Sequence, residues 1–300
     1  MLTRTSSSEL LVEMVGPHGS EYQMGVEVVF NFLKYVEHHD VCPEYAGDVK
    51  NAQKVCETAL EEMPSICKAV ALLPGTFNIA AARLFCEDDN PLSFENGDGS
   101  WEVEWKTMDD ATAQVVFGAT LAILLDPKVS KAVMGSKLGV THMSEETFEV
   151  VEIAFAEEEP RAKYKATSQH LARTMDIKLE TCGSLIVRPT VVRNGWDNTS
   201  NPTPSATADE TFILEESILE ELKVGMAITM TVCTLNVGLK FIKEIRKVHP
   251  TFYLFLPQQL MLKFKEPVLN PRPAPSVHNP EAGEEDVLGD IPLGDLDLDD

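Results

Sequence analysis

The sequence predicts an α+β chain, helical in its N-terminal part and strand-richer in its C-terminal part. Before Leu125 apolar residues recur at three- and four-residue steps, whereas after Thr147 several segments alternate with a period of two. At 300 residues and 44% hydrophobic content the chain can build a proper core. The expected organisation is an unstructured N-terminus over 1–21, a single domain over 22–272 with a flexible loop at 194–209, and a disordered acidic tail over 273–300.

The first helix places Val26, Val29, Phe30, Leu33 and Val36 on one stripe, with Glu27, Asn31, Lys34 and Glu37 towards water. Pro43 lacks a backbone donor and drives Cys42 out of the helical region, so this helix ends near His38 or His39. Asp48 is expected to cap a second helix, with Val49, Ala52, Cys56, Ala59, Leu60 and Met63 forming the matching stripe and Pro64 stopping it. Ser65–Leu73 then reads as a short helix ended by Leu73-Pro74-Gly75. Phe77–Phe85 reads as another, with Phe77, Ala81, Leu84 and Phe85 inward. Glu87–Ser100 is an acidic, Gly/Pro-broken loop, and Trp101, Val103 and Trp105 alternate with acids as in a half-buried strand. Asp109 or Asp110 caps an apolar helix through Leu124, ended by Asp126-Pro127.

From Thr147, Phe148, Val150 or Val151, Ile153 and Phe155 alternate with acids as a strand. Arg161, Lys163, Lys165 and Arg173 mark a solvated helix, and Ile177–Arg193 reads as two strands separated at Gly183. Glu210–Lys223 is expected to be an acidic amphipathic helix and Met226–Leu235 a strand rich in threonine. Lys240, Lys243 and Lys247 fall on one helical face, for solvation or for contact with an acidic protein. Thr251–Leu256 reads as an aromatic strand, followed by a Pro-rich exit.

The formal net charge is −23, and residues 281–300 hold nine Asp/Glu with no Lys/Arg, which leaves −14 on the other 280 residues. Such a surface repels phosphate backbones and gains nothing from counterion release, so direct nucleic-acid binding is not expected. The six cysteines form no C-x-x-C, and scattered free thiols in a reducing compartment are expected. The longest apolar run, Val115–Leu125, is too short to span a bilayer, so no membrane partner is expected.

The densest cluster of reactive side chains is the connector His38, His39, Asp40, Val41, Cys42, Pro43, Glu44, Tyr45. Imidazole, thiolate and carboxylate are all metal-ligand types, but adjacent ligands in a turn rarely converge on one ion, and histidines suit a helix C-terminus through the helix dipole. The connector is therefore expected to be a structural corner without a metal. The rival reading is a metal-dependent phosphohydrolase with His18, His39, Asp40 and Asp88 or Asp89 as ligands. No glycine-rich phosphate loop, nucleophile elbow, H-E-x-x-H pair or paired-carboxylate motif supports an enzyme, and no cofactor is expected. Trp196 follows Gly195 in a polar stretch, where it is either a core anchor or an exposed indole hook.

Three stretches, FNFLKYVEHHDVCPEY (30–45), LPGTFNIAAARLF (73–85) and FIKEIRKVHPTFYLFLPQQLMLKFKEP (241–267), resemble the Argonaute-binding subunits of the Argonaute siRNA chaperone complex, over about Tyr22 to Arg272. The resemblance implies a non-enzymatic regulatory subunit that holds Argonaute with duplex siRNA. It also implies restraint of passenger-strand cleavage or release, support of RNA-directed heterochromatin assembly, a further chaperone-complex subunit as partner, and residence in nucleus and cytoplasm. Duplex siRNA is then contacted only through Argonaute. His38, His39, Asp40, Cys42, Pro43, Glu44 and Trp196 are the residues expected to meet the partner; for Trp196 the reason is that Gly195-Trp196 resembles the hooks that insert into Argonaute pockets.

Overall fold

A computed structural model describes residues 21–86, 108–125, 130–131, 137–191 and 208–254. Their order is α1 (Glu21–His38), a 3₁₀ turn (Pro43–Tyr45), α2 (Ala46–Leu72), α3 (Thr76–Phe85), α4 (Asp110–Leu124), β1 (Val140–Ala154), α5 (Glu158–Met175), β2 (Cys182–Pro189), β3 (Glu210–Glu215), α6 (Glu216–Leu219), β4 (Ala227–Leu235) and β5 (Lys240–His249). The fold is α+β, helical at first and then an antiparallel sheet in the order β3-β2-β1-β4-β5.

Two apolar clusters form the core. In the first, Val26, Leu33 and Val36 of α1 and Ala52, Ala59, Met63 and Ile66 of α2 meet one face of the sheet, which presents Phe148, Leu185, Phe212, Met230 and Ile245. In the second, α3, α4 and α5 join Cys182, Cys233, Leu235 and Phe241 on the other face, where the Phe77 and Phe117 rings stack at 5.5 Å. Each fully buried Leu or Phe contributes about 1.5–3 kcal/mol, so these two clusters carry the stability of the described residues.

The sheet curls until its outermost strands approach each other across α3. Lys240 of β5 lies 2.8 Å from Glu210 of β3. Asn78, fully buried on α3, donates to the carbonyl of Ile213 on β3 and accepts from the amide of Ile242 on β5, each at 2.9 Å. Its carboxamide also donates to the Pro74 carbonyl. Beside it Glu215 accepts from the Phe77 amide at 2.8 Å. Gly75 starts this turn with φ 90°, and a Cβ there would collide with the Glu215 carboxylate, so both its conformation and its smallness are needed.

Several expectations from the sequence are corrected. Helix α2 starts at Ala46 with no side-chain cap, and Asp48 lies in its first turn. It also runs through Pro64 to Leu72, merging two expected helices. A proline inside a helix costs about 3 kcal/mol, which burial of Met63, Ile66 and Ala69 on one continuous stripe offsets. Strand β1 begins at Val140 rather than Thr147, because pairing with β4 recruits its polar first half. Gly183 lies within β2 and is no turn: a Cβ would overlap the Ala154 carbonyl and press on Leu219 at 2.8 Å. Residues 210–223 open with strand β3, where Phe212 and Leu214 are buried, and only Glu216–Leu219 is helical.

The lysines 240, 243 and 247 lie on strand β5, not on a helix. Two register shifts against β4 leave Lys243 and Arg246 unmatched, so buried Ile242, Ile245 and Val248 fall three residues apart and imitate helical spacing. Thr251–Leu254 is a turn and irregular segment rather than a strand. Other expectations hold. Helix α1 ends at His38, Asp109 caps α4 by accepting from the Thr112 amide at 2.8 Å, and β4 is a strand. All six cysteines are free. The stretch Pro43–Phe85 holds an 18-residue window long and apolar enough to cross a membrane by length and composition, contrary to the expectation from Val115–Leu125; 56% of it is buried in the fold, as in a core helix.

Candidate partner-binding corner

The connector is a tightly built turn between α1 and α2. Asp40 has φ 51°, in the left-handed region. The Val41 amide donates to Val36 (3.1 Å) and the Asp40 amide to Glu37 (3.3 Å), the paired reverse bonds that close a helix at a left-handed residue. Glycine usually takes this place, and Asp is among the few side chains that tolerate it. Cys42 then precedes the 3₁₀ turn, Pro43 opens it, and the Tyr45 amide donates to the Cys42 carbonyl at 3.0 Å. Glu37 accepts from Gln53 at 2.8 Å and lies 3.9 Å from Lys50, fastening the end of α1 to α2.

This backbone holds His38, His39, Asp40, Pro43 and Glu44 in solvent, with Cys42 half-buried against the core. The His39 ring sits 4.3 Å from Tyr35 and 4.9 Å, edge-on, from His38. A shallow pocket lies between Val36, Asp40, Cys42, Pro43 and Val49, with room for a few water-sized groups rather than for a cofactor. Among the described residues no three His, Cys, Asp or Glu side chains come together to hold a metal. The rival ligands His18, Asp88 and Asp89 lie outside the described residues, as do Trp196, the Trp101–Trp105 segment and the acidic tail.

One feature of α1 escapes a reading of its buried stripe. Met24, Val28, Phe32 and Tyr35 form a second apolar stripe on the outward side, with Met24 63% and Phe32 58% exposed, and this stripe ends at His39. The spacing 24, 28, 32, 35 was the available signal, since it repeats at four, four and three residues. Val41 and Tyr45 extend the exposed apolar surface around the corner.

Elsewhere the buried polar groups are structural. Glu62 of α2 accepts from the amide and hydroxyl of Thr251, at 3.0 and 2.8 Å, anchoring the chain as it leaves β5. Burial pushes the Glu215 carboxyl up to about 7, although the Phe77 amide pulls it down. His249, buried with its ring tilted against Tyr253 at 4.2 Å, is brought down to about 4 by burial and by Lys247.

The described residues form an α+β body that exposes an apolar stripe on α1 and a shallow pocket at its corner. The family model described as Argonaute siRNA chaperone (ARC) complex subunit Arb1 matches residues 6–267, and the chain belongs to that family. Comparison with curated proteins and with solved structures gave no match.

Proposed function

We propose that the chain is the non-enzymatic, Argonaute-holding subunit of its chaperone complex. It keeps Argonaute with duplex siRNA, restrains passenger-strand cleavage or release, and so supports RNA-directed heterochromatin assembly in nucleus and cytoplasm. The observation that carries this reading is the family match over residues 6–267, since the family is defined by that complex. The charge of −23 supports it: an acidic surface speeds encounter with a basic, RNA-binding partner and leaves phosphate contacts to that partner. The corner residues His38, His39, Asp40, Cys42, Pro43 and Glu44, together with Trp196, are proposed as contacts. The test is reconstitution: Argonaute loaded with duplex siRNA, with and without this chain and a second chaperone subunit. Co-purification and slower passenger-strand cleavage or release are expected. Failure of Argonaute to co-purify overturns the reading.

A further inference from the structure

We infer that the outward stripe of α1, Met24, Val28, Phe32, Tyr35 and His39, is a docking face for one basic amphipathic helix of a partner protein. The inference rests on the reading of this chain as a binding subunit and names the face and the kind of element that it takes.

Helix α1 is apolar on two sides. Its inner stripe is spent on α2 and the sheet, whereas Met24, Val28 and Phe32 stand 58–64% exposed. Side chains four residues apart make a ridge that fits the groove of a second helix, the commonest way helices meet. From Met24 to His39 the stripe runs for roughly 22 Å at the rise of an α-helix, about four turns of a partner. The Tyr35 and His39 rings, 4.3 Å apart, make its broad end beside the corner. Aromatic side chains of this kind carry most of the energy in such contacts.

Charge selects the occupant. Glu27 is exposed beside the stripe and Asp40 and Glu44 at its corner end, and the chain carries −23. Lys34, the positive side chain at this margin, lies over the Phe30 ring at 4.2 Å. A second copy would bring two acidic margins together, and like charges at an interface are costly. A partner helix with Lys and Arg flanking its apolar stripe complements both the apolar ridge and its margin.

The test uses the full chain with a photo-crosslinking phenylalanine analogue at Phe32, mixed with siRNA-loaded Argonaute and a second chaperone subunit. The crosslink should fall in a Lys/Arg-rich amphipathic helix of one of them. In parallel, Val28→Ser with Phe32→Ser should weaken that complex at least tenfold with an unchanged melting curve, because both side chains are exposed. Glu27→Lys should slow association several-fold at low salt and little at high salt. An amphipathic helical peptide of about four turns with Leu on one face and Lys elsewhere should bind the wild-type chain, and its Glu-for-Lys counterpart should not. If the wild type holds Argonaute and the double variant holds it equally well, the face is wrong while the proposed function stands. If Argonaute does not bind at all, the function fails, and the two peptides still decide the face. A crosslink into a second copy, or into this chain's own residues, overturns the inference.

Discussion

The Asn78 carboxamide oxygen accepts from the Ile242 amide at 2.9 Å, joining α3 to strand β5 across 164 positions of sequence. The same side chain holds Ile213 on β3, so one residue ties both outermost strands of the sheet. Asn78→Ala should take this partner from the Ile242 amide and from the Pro74 and Ile213 carbonyls, at about 1–3 kcal/mol for each group left unsatisfied, and create a small cavity. Denaturant unfolding should show a loss of at least about 2 kcal/mol. A loss under half that would mean that water or a shifted backbone replaces these bonds.

Two buried groups give stability a pH dependence of opposite sign. Glu215 is raised from 4.5 to about 7, so the folded state holds its proton more tightly than the unfolded chain. The stability it contributes is complete below pH 4.5 and is lost as pH rises through about 7. His249 is lowered from 6.5 to about 4, so its contribution is complete above pH 6.5 and is lost as pH falls through about 4. Glu215→Gln, which keeps an acceptor for the Phe77 amide, should remove the decline towards alkaline pH. His249→Phe, which keeps a ring against Tyr253, should soften the acid decline. Melting temperatures from pH 4 to 8 check both.

How much of this was legible in the sequence depended on regular spacing. The inner stripe of α1, the Asp109 cap and strand β4 follow simple periods, and each could be read directly. Strand β5 could not, because its two bulges shift a period of two into a period of three. Pro64 punctuates the sequence but not the helix, since tertiary burial outweighs a lost backbone bond. Gly183 serves a close contact that no local rule reveals. At the corner, the end of α1 was legible from Pro43, but the left-handed Asp40 was not, because Asp lacks the signal that Gly would have given. Asn78 and Glu215 look like ordinary surface residues until the fold brings their distant partners to them.

The corner separates a conformational role for Asp40 from a chemical one. Asp40→Gly should keep or slightly raise the melting temperature, since glycine adopts φ 51° without strain. Asp40→Ala should lose about 1 kcal/mol. If binding to Argonaute falls equally in both variants with little change in melting, the carboxylate itself touches the partner. If it follows the melting temperature, Asp40 only shapes the turn.

The isolated protein should bind duplex siRNA negligibly at physiological salt, because −23 charges oppose a phosphate backbone. A mobility-shift assay over a range of salt checks this. Tight, salt-sensitive binding by the chain alone would contradict the assignment of all RNA contacts to Argonaute.

Trp196 and the acidic residues 281–300 should reveal different physics in binding kinetics. An inserted indole resists screening, so Trp196→Ala should speed dissociation at every ionic strength, with a loss of roughly 2 kcal/mol. Deleting 281–300 should slow association, and the deficit should shrink as salt shortens the Debye length below roughly 10 Å. A lower melting temperature with an unchanged off-rate for Trp196→Ala would make the indole a core anchor.

The position of α3 across the gap between β3 and β5 makes those parts open together or not at all. Loosening α3 removes Asn78 from both strands at once, and strands loosened in this way offer unpaired backbone to other chains. Amides of α3, β3 and β5 should therefore exchange their hydrogens as one cooperative unit. Aggregation on warming should begin with that unit, while the α1–α2 hairpin still keeps its slow exchange.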